Sequence, residues 1–113
     1  MKKSKITSHI LDVEKGRPAA DVLITLEIKE NGKWSQICQG KTDADGRVMD
    51  WTPEEINKGH YKISFDVQTY FSSQNRECFY PGVSIEFYLK DINQHYHVPL
   101  LLSGHGYSTY RGS

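Results

Sequence analysis

The stretch DVLITLEIKENGKWSQICQG, residues 21–40, decides the fold class. In its first half every second residue is aliphatic, which is the period of a β-strand with one buried face. The dipeptide Asn31-Gly32 follows, and this pair favours the two-residue turn of a β-hairpin. Residues 21–29 and 33–40 are therefore predicted to form two antiparallel strands. The residues predicted to face a core are Val22, Ile24, Leu26 and Ile28.

Short runs of the same kind recur on both sides of this hairpin. Further strands are predicted at residues 6–13, 47–51, 60–67, 83–89, 95–102 and 105–111. A short helix is predicted between strands at residues 69–78, and residues 53–57 can form at most one helical turn. Seven to eight short strands bounded by turn signals predict an all-β sandwich, with one short helix, in a single domain spanning residues 1–113.

Composition restricts the classes of partner. Fourteen basic residues balance fourteen acidic ones, so a net charge of zero offers no basic surface to nucleic acid or to an anionic membrane. Cys38 and Cys78 lack the spacing of a metal or redox motif and are expected to be free thiols. The basic start MKKSKITSHI has no apolar segment behind it, so we expect no signal peptide, no membrane span and a cytoplasmic location.

The run HYHVPLLL, residues 95–102, has two faces of different character. The core face is predicted to consist of Tyr96, Val98, Leu100 and Leu102. The opposite face combines His95 and His97 with Pro99 and Leu101, a mixture typical of a pocket wall or a subunit interface. Two histidines at this spacing could form half a metal site, but no carboxylate or cysteine pattern completes it, so no metal and no cofactor are expected.

The segment LSGHGYSTY, residues 102–110, is close enough to the preceding strand to form a hairpin with it. Gly104 and Gly106 are predicted to supply a turn with positive φ. The residues predicted to share one face of the last strand are Ser108, Tyr110 and Gly112. If that face adjoins His97, the ending YRGS lies at the mouth of the same cavity and is expected to be part of a site.

Five motifs together carry a family resemblance. They are SHILD (8–12), GRPA (16–19), TDADGR (42–47), HYHVPLLLS (95–103) and YSTYRGS (107–113). With them the chain resembles the transthyretin-related proteins that act as 5-hydroxyisourate hydrolases, and the ending YRGS is the most specific part. The resemblance implies a prealbumin-like, transthyretin-like β-sandwich that assembles into a homotetramer. Two eight-stranded sheets would meet across a central channel, with active sites near its two openings.

The resemblance also implies roles for individual residues. The implied catalytic residues are His9, Arg47, His97 and Ser113. The implied substrate-binding residues are His9, Arg47 and Tyr110, and the possible supporting residues are His95, Ser108, Arg111 and Gly112. His97 and His9 would activate water and transfer protons, and which of them is the general base stays open. Arg47 would orient the substrate and stabilise negative charge, whereas Arg111 is either part of the site or a structural tie for the ending.

The implied reaction acts on a purine-derived small molecule. It is the hydrolysis of 5-hydroxyisourate to 2-oxo-4-hydroxy-4-carboxy-5-ureidoimidazoline in urate degradation. One alternative is a transthyretin-like carrier of small ligands without catalysis, and another is an Ig-like interaction module. One departure from the family pattern is Gly104-His105, where the hairpin commonly has proline after LS. This change is expected to loosen the turn and to leave the implied catalytic residues unaffected.

Overall fold

The computed structural model describes residues 3–113 and places them in two β-sheets. Met1 and Lys2, the first residues of the basic start, lie outside the described residues. Within residues 3–113 the elements are β1 (Ile6–Asp12), β2 (Arg17–Pro18), β3 (Leu23–Glu30), β4 (Lys33–Lys41), β5 (Arg47–Val48), β6 (Gly59–Phe65), α1 (Val67–Ser72), β7 (Val83–Leu89), β8 (Tyr96–His97), β9 (Leu100–Leu102) and β10 (Tyr107–Thr109). The predicted all-β class is confirmed. The one helix found in this part of the chain is too short to cross a membrane.

The four-stranded sheet has the order β4-β3-β6-β7 and is antiparallel throughout. The predicted hairpin between β3 and β4 is confirmed. Its turn residues Asn31 and Gly32 have φ values of 53° and 76°. Positive φ at both positions is the requirement of the type I′ turn, whose twist matches that of the flanking strands.

The second sheet is organised around β1. Its strands follow the order β10-β9-β1-β2, and β5 and β8 also pair with β1. β1 runs parallel to β8 and β9 and antiparallel to β2 and β5. Because strands from the whole length of the chain meet on β1, any side chain on this strand has neighbours that are remote in sequence.

The core lies between the two sheets, and the alternation in the sequence identifies most of it. The buried residues that were predicted from β3 and from residues 95–102 are Val22, Ile24, Leu26, Ile28, Tyr96, Val98, Leu100 and Leu102. In β7 only Val83 and Leu89 are fully buried, while Ile85 and Phe87 are half-buried. β7 is an edge strand, so the middle of its inner face lies at the open side of the sandwich.

Residues 3–113 form ten strands where seven to eight were predicted, and the difference has local causes. The predicted strand 95–102 divides into β8 and β9 around Pro99, which has no N–H to donate to a sheet. Residues 17 and 18, which lie between two predicted strands, pair with β1 as the short strand β2. Of the predicted strand 47–51, only Arg47 and Val48 form a strand, β5.

The predicted helix exists but its bounds were wrong. α1 begins two residues before the predicted start because Asp66 caps it, accepting a hydrogen bond from the Thr69 N–H at 3.3 Å. It ends at Ser72, and Asn75 adopts a positive φ of 55° that no helix continues through. Residues 53–57 form no helical turn in the described structure.

A buried ion pair fastens the segment after α1 to the end of β1. The carboxylate of Asp12 is fully buried and accepts hydrogen bonds from Arg76 Nη1 and from the Tyr70 hydroxyl, both at 2.7 Å. Arg76 Nη2 also donates to Glu14 at 2.6 Å. The second oxygen of Glu14 accepts the Gly104 N–H at 3.0 Å. These contacts join β1, α1 and the β9–β10 turn into one unit.

The expected role of the glycines in that turn was wrong. The described glycines with positive φ do not include Gly104 or Gly106. Gly104 is needed for space instead, because a Cβ atom there would lie 2.7 Å from the Glu77 carbonyl oxygen. Its N–H also binds Glu14, which a proline at this position could not do. The departure from the family pattern thus coincides with an added contact in the turn.

Candidate active site

Three of the predicted site residues, His9, Arg47 and His97, lie on the outer face of the six-stranded sheet, on β1 and on the two strands beside it. Thr7 of β1 pairs in register with His97 of β8, and His9 of β1 pairs with Arg47 of β5. Residues two apart on a strand point to the same face, so all four side chains share one face. Directly opposed residues of an antiparallel pair, such as His9 and Arg47, have Cβ atoms about 4.5–5.5 Å apart. The fold therefore brings His9, Arg47 and His97 together.

A rigid turn places Arg47 beside His9. Asp43 Oδ1 accepts the backbone N–H of Asp45 at 2.9 Å and of Arg47 at 3.0 Å. Gly46 has a φ of +73°, and a Cβ atom there would lie 2.5 Å from the carbonyl oxygen of Ile10. Its own carbonyl accepts the Ile10 N–H at 2.8 Å. The turn is therefore pinned against β1, and it presents an exposed guanidinium next to the histidines.

The surroundings of His97 favour its neutral form. Its Nδ1 atom lies 2.7 Å from the hydroxyl of Thr7, and its side chain is half-buried. Burial is the main reason that the pKa of His97 lies below its ordinary value of 6.5, and neighbouring groups that include His95, His9 and Arg47 lower it further. A neutral ring near pH 7 can accept a proton, which is the requirement for a general base.

His95 lies next to His97 but faces a different environment. The two rings are stacked, with centroids 6.2 Å apart and an interplanar angle of 20°. His95 Nε2 lies 2.9 Å from the same Thr7 hydroxyl. Burial, followed by the charges of Lys3, Arg111 and Lys5, lowers the pKa of His95. His95 also lines a polar cavity of about 380 Å³ together with Lys3, Lys5 and Asp50.

The residues of the chain's last segment divide between two places. Gly112 lies against His97: its N–H donates to the His97 carbonyl at 2.9 Å, and a Cβ atom on it would lie 2.6 Å from His97 Cδ2. Ser108 pairs with Leu101 of β9, on the same face as His9. Ser113 is exposed. Gly112 thus belongs to the immediate packing around His97.

Tyr110 and Arg111 lie elsewhere. Tyr110, which is 57% exposed, lines an apolar cavity of about 260 Å³ formed with β7 residues and with Tyr96. Arg111 Nη2 donates to Gln94 Oε1 at 2.9 Å, and its guanidinium lies 4.4 Å from the centre of the Tyr96 ring. Through these contacts Arg111 connects the last segment to the loop before β8.

Sequence reasoning missed Thr7, which touches both histidines. Its only sequence signal is a position two residues before His9, which puts it on the same strand face. That signal becomes informative once the pairing of β1 with β8 is known. Within residues 3–113, no three His, Cys, Asp or Glu side chains cluster in a way that could hold a metal ion.

Comparison with known proteins gives consistent results. The HIUase/Transthyretin family matches residues 6–112. The chain is 45% identical over 109 residues to the 5-hydroxyisourate hydrolase of Salmonella dublin, covering 96% of this chain and 80% of that protein. It is also similar to two solved structures. For sea bream transthyretin in complex with thyroxine the TM-score is 0.91 at 32% identity, covering 96% of this chain and 94% of that one.

The second solved structure is the 5-hydroxyisourate hydrolase of Klebsiella pneumoniae. Its TM-score is 0.83 at 29% identity, with coverage of 96% of this chain and 98% of that one. The predicted transthyretin-like sandwich is thereby confirmed. Because a transthyretin and a hydrolase share this fold, the fold alone does not separate binding from catalysis. The distinction between a binding protein and an enzyme must therefore come from the side chains on the outer face of β1.

Proposed function

The chain belongs to the HIUase/Transthyretin family, and we propose that it hydrolyses 5-hydroxyisourate as a step of urate degradation. The observation that carries the proposal is the meeting of His97, His9 and Arg47 on one sheet face. A passive binding site has no need of a neutral histidine beside an exposed guanidinium. Hydrolysis of a cyclic amide-like bond can use both, the histidine as the base and the guanidinium to stabilise the developing negative charge.

The proposed chemistry assigns one task to each group. His97 takes a proton from water, and the resulting hydroxide adds to the ring carbonyl; general-base assistance of this kind contributes about 10² to 10⁴ in rate. Arg47 stabilises the negative charge that develops on the carbonyl oxygen, since its planar, permanently charged fork suits two acceptors. The C–N bond then breaks, and the proton returns to the leaving nitrogen. His9, opposite Arg47, orients the substrate and assists this return.

The supporting residues are proposed to act by positioning His97, Arg47 and His9. Gly112 packs on the His97 ring. His95 contacts the same Thr7 hydroxyl as His97. Arg111 fixes the last segment on Gln94 and Tyr96. Ser113 remains a proposed contact of the substrate, and Ser108 lies on the sheet face of His9. The predicted substrate contact of Tyr110 has no support within one chain, because Tyr110 lines the separate cavity beside β7 and Tyr96.

A second candidate function is a carrier of small ligands. It is favoured by the TM-score of 0.91 to a transthyretin in complex with thyroxine. The hydrolase and the carrier differ in whether the protein consumes 5-hydroxyisourate. A carrier would bind 5-hydroxyisourate or an aromatic ligand without accelerating its disappearance.

The deciding experiment adds the protein to freshly generated 5-hydroxyisourate and follows the ultraviolet absorbance against the spontaneous decay. Faster decay that scales with protein concentration supports the hydrolase, and binding without faster decay supports the carrier. In a parallel experiment the protein is first dialysed against a chelator. Unchanged turnover is expected, because no metal is expected to be needed. The control is His60→Asn, since His60 lies on the other sheet and contacts Glu86 at 2.7 Å. This variant should retain full turnover.

Gly112→Ala should lower the rate by about 10²-fold with little loss of stability. The added Cβ would lie 2.6 Å from His97 Cδ2 and 3.3 Å from Pro99 Cγ, so the ring or the last segment must move. A displacement of about 1 Å at a catalytic group can cost this much. Steady-state kinetics and thermal unfolding of the variant measure the two effects. Gly82→Ala is the matched control, since its backbone φ is not positive and an added Cβ there would meet only the Phe65 carbonyl oxygen, at an ordinary contact distance of 3.8 Å. Wild-type turnover in Gly112→Ala would show that His97 tolerates displacement.

We also propose a homotetramer. β7 and β10 are the edge strands of their sheets, and one apolar cavity of about 260 Å³ is lined by residues of both edges. Exposed edges with aromatic side chains favour pairing with another chain, and Tyr88 and Tyr107 are 62% and 43% exposed. Pairing of two β7 strands would create an eight-stranded sheet. Light scattering should give the mass of four 13.0 kDa chains. A monodisperse, fully active monomer would exclude this assembly.

A further inference from the structure

We propose that Thr7 is a positioning residue that fixes His97 in the tautomer able to act as base. The proposal rests on the proposed function and adds to it a residue that touches no substrate. It starts from one fully buried hydroxyl that lies between two histidine rings. Thr7 Oγ1 is 2.7 Å from His97 Nδ1 and 2.9 Å from His95 Nε2.

A single hydroxyl cannot serve both rings in the same way. It has one hydrogen to donate and two lone pairs to accept with. With a neutral ring on each side, Thr7 therefore donates to one histidine nitrogen and accepts an N–H from the other. The tautomers of His95 and His97 are coupled through this atom.

Two arrangements satisfy the coupling. In the first, His97 Nδ1–H donates to Thr7, and Thr7 donates to an unprotonated Nε2 of His95. His97 Nε2 then carries a free lone pair. In the second, Thr7 donates to His97 Nδ1, and the proton of neutral His97 sits on Nε2, where it blocks proton uptake. Only the first arrangement leaves a base.

The proposed function requires the first arrangement, and the surroundings of His95 exclude a state that would prevent it. Burial, followed by the charges of Lys3, Arg111 and Lys5, lowers the pKa of His95, so near pH 7 this ring does not carry protons on both nitrogens and does not force Thr7 to donate to His97. His97 is the ring that lies near His9 and Arg47, so its Nε2 is the nitrogen that serves the proposed site. Within residues 3–113, the hydrogen bonds of the Thr7 side chain go to these two rings.

The backbone holds this geometry. The Thr7 carbonyl accepts the Val98 N–H at 3.0 Å, which fixes β1 against the chain just beyond His97. A β-branched threonine also has few rotamers available on a strand. The near-parallel stacking of the two rings, at 20°, keeps both nitrogens on the same hydroxyl.

The proton balance of the step is simple. A water proton moves to His97 Nε2 and converts the ring to imidazolium, while the Nδ1 proton stays on its hydrogen bond to Thr7. The same Nε2 proton later passes to the leaving nitrogen. Thr7 keeps its own proton throughout, so it positions the base without exchanging anything.

The test compares two substitutions at one position. Thr7→Val keeps the shape and removes the hydroxyl, whereas Thr7→Ser keeps the hydroxyl. We expect Thr7→Val to lower kcat by about tenfold or more, up to the full 10² to 10⁴ that a general base supplies, with KM nearly unchanged. Thr7→Ser should keep kcat close to that of the wild type. Nitrogen-15 spectra of the substrate-free protein should show wild-type His97 protonated at Nδ1, with the proton moving toward Nε2 in Thr7→Val.

Each outcome decides the proposal. A wild-type His97 protonated at Nε2, an unchanged kcat in Thr7→Val, or equal losses in both variants would overturn it. The wild-type spectrum needs no variant, so a variant that fails to fold does not block the test. The tautomer is read without substrate. If the wild type shows the stated tautomer but no turnover, the proposed function fails while the assignment of Thr7 stands.

Discussion

His97→Asn should lower the turnover of 5-hydroxyisourate by at least about 10²-fold while the fold and the assembly are retained. Asparagine occupies similar space and can still bond to Thr7 from its amide, so the packing around Gly112 survives. It cannot take a proton from water near pH 7. The measurement is kcat and KM from ultraviolet decay, with circular dichroism and light scattering of the same sample.

The pH dependence of the wild type tests the same assignment. A base must be unprotonated to act, so activity falls as the pH drops through the pKa of His97. Because that pKa lies below the ordinary 6.5, the acid limb of kcat/KM should also lie below pH 6.5. The limb should be absent from the residual activity of His97→Asn. An acid limb unchanged by this substitution would assign the proton transfer to another group.

Arg47→Ala provides the comparison for the electrostatic part of the mechanism. Loss of one well-placed oxyanion donor costs about 3–4 kcal/mol of transition-state stabilisation. The exposed Arg47 side chain makes its loss nearly neutral for folding, so the effect should be on rate. His60→Asn is the control for both variants, because it changes a histidine outside the site.

Asp12→Asn should lower the free energy of unfolding by about 3 kcal/mol or more. The carboxylate of Asp12 is fully buried and receives Arg76 and Tyr70 at 2.7 Å each. The substitution removes the charge and leaves the Arg76 guanidinium without its buried partner. Urea unfolding of the wild type and the variant at pH 7 measures the difference.

The same group makes stability depend on pH. Burial alone raises the pKa of Asp12, but the hydrogen bonds from Arg76, Tyr70 and the Lys15 backbone outweigh burial and bring the pKa to about 2. A carboxyl whose folded-state pKa lies below its unfolded value of 3.8 stabilises the fold above that value. This contribution, about 2–3 kcal/mol, is lost as the pH falls from about 5 toward 2.

The control for Asp12 is the more exposed ion pair between Lys62 and Glu27, at 3.6 Å. Glu27→Gln should cost less than about 1 kcal/mol, as is usual for surface pairs. Equal losses in Glu27→Gln and Asp12→Asn, or an Asp12→Asn variant as stable as the wild type, would contradict the structural role of the buried pair.

The sequence by itself determined most of the strands and the direction in which their side chains point. The alternation of Val22, Ile24, Leu26 and Ile28 fixes a buried face, because a strand repeats every two residues whatever lies beside it. The turn Asn31-Gly32 fixes the register of one hairpin for an equally local reason. The motifs that surround His9, Arg47 and His97 also marked these residues as the candidate site.

Only the tertiary structure decided which residues meet. Thr7 and His97 are 90 positions apart, and their contact depends on the register of β1 against β8, which no local period encodes. The close approach of Gly112 to His97 and the pairing of Asp12 with Arg76 depend on the same long-range packing. A strand's own sequence sets which face a side chain occupies, whereas hydrogen bonds to distant strands set what stands opposite. For this reason Thr7 could be found only in the folded chain.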